Sequence, residues 1–455
     1  MTIPTYAGLG TALSGLEAMQ AGIDTTSQNI SNASNPDYAD ESVNLVTNPS
    51  LTFFTGEGNN PPVELGTGVA VQSITRNDDQ FIDGQYWTAN GNASYYSTLS
   101  NQLTDTEDDL NTSATGGLQS ALNSFYSSLS TLSQNPTLGS AVIGAATNLA
   151  TQLNQASQQI STLQAQAGDE VTTLTSSGGE LDQYATDIAN LNQQIADTNA
   201  AGMSSNSLQD QRASVITQLS SLANIQVTQQ SNGSDTITLM NTSTTPATQV
   251  GSSPLVDGGN GTTVPSASAA VTLPASTDLT SIGGTIGALA QLADTNASDP
   301  NASLAQMKSQ LDTVAAGVAN LVNTASGTTF FSPDDGTSTV TAANIAVDSS
   351  VTTTSLAALS STTVSSVYGT NVQATNDLST FVSQVGNIVG QANDSATTSA
   401  SLLTNISNER QSVSGVSLDQ EMTNLITYQQ GYQASARVMN TMQSVIQTLI
   451  TSVGG

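Results

Sequence analysis

The sequence predicts a mainly α-helical protein with a small β domain, and three observations carry that prediction. Apolar residues recur at alternating steps of four and three near both ends of the chain. Similar helical spacing returns through much of the middle. Near Ile225 the period changes to two, and alternation continues on both sides of an Asn232-Gly233 hairpin signal. The chain should therefore run out and back, with terminal coiled-coil helices, an elongated helical bundle and a β-rich outer tip.

The two terminal stripes predict a surface for assembly between copies. A step of four and three places residues on one helix face that coils against another helix. About 30 residues at 1.5 Å each give a helix of roughly 45 Å, longer than a small domain needs. We therefore predict that these faces pack between subunits, as an assembly seam made of Leu9, Leu13, Leu16, Ile23, Ile30, Leu418, Met422, Leu425, Tyr432, Met439, Ile446 and Ile450. Gln20, Gln429 and Gln443 interrupt the stripes.

The middle of the chain divides into a bundle and a β segment. We predict terminal helices in residues 1–42 and 412–455, a helical bundle with short strands in 43–225 and 281–411, and a small β-rich outer domain in 226–280. Three amphipathic stripes support the bundle, and they begin at Leu149, Leu181 and Leu208. Residues 328–370 read as short strands and loops, with helix resuming near Leu378.

A break precedes the last helix, and its residues suit a helix start. Gly415 permits a break in the backbone, and Ser417 can accept from a backbone donor as an N-cap. Asp419 and Glu421 complement the positive end of a helix. We therefore predict a helix joint at Gly415, Ser417 and Asp419, between the terminal helix and the bundle.

Composition excludes several functional classes. The 455 residues carry a net charge of −30, with only five Lys and Arg. Binding to nucleic acid or to an anionic membrane needs a basic surface, which this composition does not provide. Cys and His are both absent, which removes thiol nucleophiles, imidazole bases and the usual zinc sites. We expect no cofactor and no metal. No run of about 18 apolar residues predicts membrane insertion, and the N-terminus lacks the pattern of a cleaved secretory leader.

Four stretches of the sequence resemble one family of flagellar axial proteins. Residues 14–38, SGLEAMQAGIDTTSQNISNASNPDY, resemble the signature shared by rod, hook and hook-associated proteins. Residues 66–86 and the LQDQR helix at 208–222 narrow the resemblance, and the octet SGVSLDQE at 414–421 is the most specific match. Together they resemble the family of flagellar hook-associated protein 1, the first junction protein between hook and filament.

The resemblance implies a structural, non-enzymatic subunit that is secreted through the flagellar export apparatus and assembles at the hook–filament junction. The implied partners are further copies of the chain in a ring, the hook protein, the second junction protein and a cytoplasmic export chaperone on the C-terminal helix. Three positions depart from the family pattern, since Asp37, Asp40 and Trp87 stand where other residues are usual. The chain is also short for the family, so an outer domain is expected to be missing.

Other interpretations remain open at the level of sequence. Another axial protein, such as the hook protein, the second junction protein or flagellin, shares the N-terminal signature, although the octet argues against it. A secreted cell-wall glycan hydrolase would need two carboxyls in one cleft. Its candidate acids are in the clusters at residues 78–79, 107–109 and 334–335, which more often form solvated faces. A secreted adhesin would have to bind through the middle of the chain alone.

Overall fold

The structure is a computed structural model, and it describes residues 5–53, 63–110, 117–241, 247–250, 253–259, 266–267 and 278–453. The first part begins with helix α1 (Thr5–Asn32). Four strands follow: β1 (Glu41–Thr47), β2 (Leu51–Phe53), β3 (Val63–Leu65) and β4 (Val69–Arg76). Strands β1 and β4 pair antiparallel, as do β2 and β3. This strand region links the first helix to the bundle.

The bundle is built from long helices whose apolar stripes meet in one core. Its helices are α2 (Gln80–Leu110), α3 (Leu118–Gln134), α4 (Gly139–Thr175), α5 (Glu180–Ala200), α6 (Asn206–Leu222), α7 (Gly284–Ala293) and α8 (Ser303–Ser326). The predicted stripes hold in α4 and α5, where Leu149, Leu153, Leu181 and Ile188 are fully buried. In α6 the sequence reading missed Ile216, which is buried beside Leu219.

The C-terminal part returns along the bundle and then leaves it. After strands β10 (Phe331–Pro333) and β11 (Ile345–Val347) come α9 (Thr353–Ala357), α10 (Ser361–Gly369), α11 (Asn371–Ser414) and α12 (Leu418–Val453). Helix α11 packs along α2, and α12 packs along α1. The prediction of a mainly α protein with a small β part is confirmed.

The prediction of strands and loops is wrong for residues 353–357 and 361–369, which form α9 and α10. Both helices are rich in Ser and Thr, which have modest helix propensity, so their helical spacing is weak. Local caps define them instead. The Thr352 hydroxyl accepts from the Ser355 N–H in a capping box, and the Ser360 hydroxyl accepts from the Thr363 N–H. Leu356, Val364 and Val367 are then buried against the bundle.

The β segment packs against the helical bundle. Strands β5 (Ile225–Gln229) and β6 (Asp235–Asn241) form the predicted hairpin, and β7 (Thr248–Gln249), β8 (Val256–Asp257) and β9 (Ser266–Ala267) join the same sheet. Ile237 and Val256 are fully buried in the core of the bundle. Gln229 accepts a hydrogen bond from Gln80 at the start of α2. The described strands therefore pack on the bundle beside α2 and α5, and the outer position of this segment stays a prediction. Residues 242–246, 251–252, 260–265 and 268–277 of the segment lie outside the described residues.

The described residues contain neither a membrane-spanning helix nor a cluster of metal ligands. None of the described helices is both long and apolar enough to cross a membrane. Within the same residues, no group of three or more His, Cys, Asp or Glu side chains is arranged to hold a metal ion.

Candidate functional site

The two terminal helices pair antiparallel within one chain, and we call α1 and α12 the terminal pair. Three glycines spaced seven residues apart line the contact. An ideal Cβ on Gly8 would lie 3.1 Å from the Met442 methyl carbon, and one on Gly15 would lie 3.1 Å from the Ser435 hydroxyl. One on Gly22 would lie only 2.7 Å from the Tyr428 ring. The helices approach closely because these positions carry no side chain.

The α12 side of the terminal pair has the reciprocal arrangement. An ideal Cβ on Gly431 would lie 2.5 Å from the sulfur of Met19. The facing residues Tyr428, Ser435 and Met442 are themselves seven residues apart. The close contact inside one chain therefore depends on glycine at these positions. The seven-residue spacing of Gly8, Gly15 and Gly22 is visible in the sequence and could have predicted this contact.

The large residues of the predicted assembly seam differ in exposure within the single chain. Six side chains are partly buried: Leu9, Leu16, Ile23, Ile30, Leu425 and Tyr432. Met439 and Ile446 are also partly buried. By contrast, Leu13, Leu418, Met422 and Ile450 are between 48 and 64% exposed. Their role in assembly remains a prediction.

A disulfide can test the register of the terminal pair, because the natural chain has no cysteine. The ideal Cβ of Gly15 lies 3.9 Å from the Ser435 Cβ, close to the mean Cβ–Cβ distance of about 3.8 Å in disulfides. We expect the Gly15→Cys/Ser435→Cys variant to form an intramolecular disulfide under mild oxidation, detected by mass spectrometry. The offset pair Gly15→Cys/Ala434→Cys should form much less, and equal yields would contradict the register.

The break before α12 is where the terminal pair meets the bundle. Helix α11 ends at Ser414, and α12 begins at Leu418. The predicted joint residues Gly415 and Ser417 lie between them, and Asp419 lies in the first turn of α12. The Ser417 carbonyl accepts from the Glu421 N–H at 2.9 Å, and the Ser414 carbonyl accepts from the Asp40 N–H at 2.8 Å. The break is thus fixed to the loop that follows α1, and we call this region the joint.

Asn29 is the centre of the joint on the α1 side. Its side chain is fully buried, and its amide nitrogen lies 2.7 Å from an Asp40 carboxylate oxygen and 3.1 Å from a Glu421 carboxylate oxygen. Its amide oxygen accepts from the Tyr38 hydroxyl at 2.8 Å and from the Glu41 N–H at 3.1 Å. One asparagine therefore connects α1, the following loop, β1 and α12.

Arg410 holds the end of α11 against the bundle. Its Nε donates to Asp83 at 2.7 Å, and its Nη1 donates to Asp37 at 3.4 Å. The guanidinium also lies 4.7 Å from the centre of the Tyr86 ring, within cation–π range. Asp37 is one of the departures from the family pattern, and here it contributes to the ion pairing of the joint.

Arg76 and Arg212 extend the same charged region toward the hairpin. Arg76 pairs with Asp78 at 2.5 Å and with Asp210 at 2.7 Å, and Arg212 pairs with Asp235 at 2.9 Å. The side chains of three of the five cations in the chain, Arg76, Arg212 and Arg410, are thus at most 8% exposed in this region. A sequence pattern could not reveal the pairing, since the partners of Arg76 and Arg212 include acids far away along the chain.

Burial dominates the electrostatics of these acids. Burial raises the pKa of Asp83, although Arg410 and Arg76 oppose the shift. It likewise raises the pKa of Asp210 against Arg76, and the pKa of Asp235 against Arg212. Burial also lowers the pKa of Arg212, with Asp235 acting in the opposite direction. The ion pairs therefore offset a desolvation cost that remains large.

The joint encloses a polar cavity of about 490 Å³. Its lining includes Asn35 and Pro36 of the loop after α1, Tyr86 of α2, and Gly415 and Ser417 of the break. The N-terminal signature and the octet, the two motifs that carried the family resemblance, therefore face each other across one space. Trp87, the third departure, is buried in the core beside this region.

Three of the candidate acids for hydrolysis, Asp78, Asp79 and Asp335, take part in an ion pair, a helix start and a turn. Asp78 pairs with Arg76, and the Asp79 carboxylate accepts from the N–H of Phe81 at the start of α2. Asp335 is exposed and accepts from Thr337 and Asn344 in a turn, and those hydrogen bonds lower its pKa. A general acid needs the opposite shift, so Asp335 does not fit that role.

A family model covers the bundle. The model described as the flagellar hook-associated protein FlgK helical domain matches residues 103–337, more than half of the chain. The chain belongs to the FlgK family of flagellar hook-associated proteins. A second model, the flagellar basal body rod FlgEFG protein C-terminal region, matches residues 408–452. That match contains Arg410, the break and nearly all of α12.

The similar curated proteins carry names that are consistent with the FlgK family. The chain is 32% identical over 236 residues to flagellar hook-associated protein 1 of Bacillus subtilis strain 168, covering 51% of this chain and 46% of that relative. It is 31% identical over 235 residues to the protein of the same name from Salmonella typhimurium strain LT2, covering 50% of this chain and 40% of that relative. The chain thus matches less than half the length of these relatives.

One solved structure is also similar to this FlgK-family chain. It is the flagellar hook junction protein FlgK from Burkholderia pseudomallei, at 24% sequence identity and a TM-score of 0.42. The match covers 57% of this chain and 46% of that chain.

Proposed function

We propose that this protein is a structural subunit of the bacterial flagellum that assembles with further copies of itself at the junction between hook and filament. Membership of the FlgK family supports the location, since relatives carry the name of hook-associated protein. The terminal pair supports the mode of assembly. Its glycines pack against facing side chains such as Tyr428 and Met442, and several other large apolar side chains stay exposed and available to other copies.

The apolar surface of the terminal pair is the observation that carries the proposal. Seven large apolar side chains of these helices are between 45 and 64% exposed: Leu13, Leu418, Met422, Ile426, Val438, Val445 and Ile450. Leu418, Met422 and Ile426 follow one another at steps of four residues, so they share one face of α12. A contiguous exposed apolar patch marks an interaction site in soluble proteins. Complete burial of a fully exposed side chain of this size contributes about 1.5–3 kcal/mol, so burying the exposed half of several of them together stabilises a contact between copies.

Charge favours a second copy as the occupant of that surface. Helix α1 carries two acids, and α12 carries two acids and one arginine, whereas the whole chain has a net charge of −30. Copies repel each other through their bundles, so they can approach most easily through the terminal helices. This distribution supports a ring or tube with the terminal pairs inside and the bundles outside.

The remaining partners follow from the same proposal. The subunit would contact the hook protein on one side and the second junction protein on the other. Before export through the flagellar apparatus, a cytoplasmic chaperone would cover the exposed apolar residues of α12. The role is structural rather than enzymatic, and it uses neither a nucleic acid nor a cofactor.

A deletion tests the proposed function. Removing residues 418–455 deletes α12 and with it half of the terminal pair. In a motile bacterium whose own FlgK gene is deleted and replaced by this chain, the full-length protein should restore filaments. The deletion variant should leave hooks without filaments and release unpolymerised flagellin into the medium, measured by immunoblot.

A matched variant separates assembly from folding. Met422→Ser/Ile426→Ser changes two exposed side chains of α12 and leaves the glycine contacts intact. It should fold normally by circular dichroism and still fail to restore filaments. Normal filaments from both the deletion and this variant would overturn the assembly role. That result would favour the hydrolase or adhesin interpretation.

A further inference from the structure

The amide of Asn29 has more acceptors than hydrogens. Its Nδ2 atom carries two hydrogens, yet three oxygens lie within hydrogen-bond distance. They are an Asp40 carboxylate oxygen at 2.7 Å, the Glu41 carbonyl at 2.9 Å and a Glu421 carboxylate oxygen at 3.1 Å. Because both carboxylates touch the same nitrogen, their oxygens are close neighbours at a buried site.

The other donors around this site are already engaged. Asn77 donates to the second oxygen of Asp40 at 2.9 Å, and Asn424 donates to the second oxygen of Glu421 at 2.9 Å. The Tyr38 hydroxyl donates to the Asn29 oxygen instead. With both acids ionised, one acceptor at Asn29 has to share a hydrogen. A single proton on Asp40 supplies the missing donor and removes the repulsion between the two charges.

We propose that Asp40, Glu421 and Asn29 form a proton-sensitive hinge between the terminal pair and the bundle. With one shared proton the two carboxyls and the amide are fully hydrogen-bonded, and α12 is held firmly to the loop after α1. After loss of that proton, two carboxylates compete for one amide, and α12 moves more freely relative to the bundle. This inference concerns the single chain and goes beyond the proposed assembly role.

The surrounding charges favour proton uptake. Burial raises the pKa of Asp40, and the charge of Glu421 raises it further, against a hydrogen bond from Asn77. The neighbouring Glu41 also has a raised pKa, mainly from burial, with Asp210 raising it and Arg76 lowering it. Burial, together with the charges of Glu41, Asp210, Asp40 and Glu421, raises the pKa of Tyr38, so its hydroxyl stays a donor.

The direction of the pH dependence follows from these shifts. A carboxyl with a raised pKa in the folded chain binds protons more readily there than in the unfolded chain. Its contribution is therefore fully present below the ordinary pKa of about 4 and is lost as the pH rises through the raised value. The hinge should be firm below the raised pKa of Asp40 and loose above it.

Spin labels across the joint can measure this hinge in the full chain. We would place nitroxides at Ser401→Cys on α11 and Gln433→Cys on α12, two exposed positions on either side of the break. Pulsed dipolar spectroscopy on dilute monomer should give a narrower distance distribution at pH 4 than at pH 8. Asp40→Asn supplies a permanent hydrogen to Glu421 and should give the narrow distribution at both pH values, as should Glu421→Gln.

The control is Asp419→Asn, which changes an exposed acid in the same turn of α12 as Glu421. It should keep the full pH dependence. Loss of the dependence in Asp40→Asn or Glu421→Gln supports the hinge, provided that circular dichroism shows unchanged helix content. Equal widths for the unsubstituted chain at both pH values, or a dependence that survives in both variants, would overturn it. This measurement does not involve filament assembly, so a negative result would contradict the hinge without contradicting the proposed function.

Discussion

Replacing Arg410 with methionine should lower the free energy of unfolding by about 3–5 kcal/mol, the usual cost of removing one partner of a buried ion pair. Methionine keeps much of the side-chain volume over Tyr86, so the loss comes chiefly from the charge. Asp83, with a side chain only 8% exposed, then remains buried beside the gap. Urea unfolding followed by the fluorescence of Trp87, the single tryptophan, measures the effect.

Two further variants test whether the loss of stability in Arg410→Met comes from the unpaired charge of Asp83. The double variant Arg410→Met/Asp83→Asn removes the unpaired charge and should recover much of the lost stability. Arg437→Met removes an exposed arginine from α12 and should change the free energy of unfolding by less than about 0.5 kcal/mol. If the double variant is no more stable than the single one, Asp83 is not the group left unpaired.

The same variant has a signed pH dependence. Burial already raises the pKa of Asp83, and removing Arg410 takes away the first of the two charges that oppose this shift. In Arg410→Met the carboxyl should therefore take up a proton at higher pH than before. The stability deficit should be smaller at pH 5 than at pH 8, because the protonated carboxyl needs no cation.

The sequence predicted the helical architecture because most long helices keep a regular apolar stripe. Leu149 and Leu153 in α4, and Leu181 and Ile188 in α5, are buried as the spacing requires. The prediction was wrong where short-range polar bonds decide the structure, as in α9 and α10, whose caps use Thr352 and Ser360. Periodicity does not detect such bonds, since they involve serine and threonine rather than apolar residues.

The candidate site was only partly predictable for a different reason. The break at residues 415–417 could be read from glycine and serine next to one another in the sequence. The partners of Asn29 and Arg410 could not, since Glu421 and Asp83 lie hundreds of positions away and no periodic pattern links them. The apolar stripes of the terminal helices were found, but the stripes alone do not say which face contacts the chain's own partner helix.

The glycines Gly8, Gly15 and Gly22 of α1 mark the face that contacts α12, and a substitution there should have the second large effect on the protein. Gly22→Ala should weaken the terminal pair, because a Cβ at this position would lie 2.7 Å from the Tyr428 ring. Overpacking of this kind costs about 1–3 kcal/mol. Measured in the Gly15→Cys/Ser435→Cys background, the equilibrium constant for disulfide formation with glutathione should fall by about 5- to 150-fold.

Gly10→Ala is the matched control, because no atom lies within 4 Å of an ideal Cβ there. Both substitutions gain the same helix propensity, about 1 kcal/mol for alanine over glycine. The difference between them therefore isolates the contact with Tyr428, and Gly22→Ala/Tyr428→Ala should restore the equilibrium constant. If Gly10→Ala and Gly22→Ala behave alike, the glycines do not set the spacing of the helices. The apolar faces could then form the contact between α1 and α12 within the chain, and they would not be available to other copies.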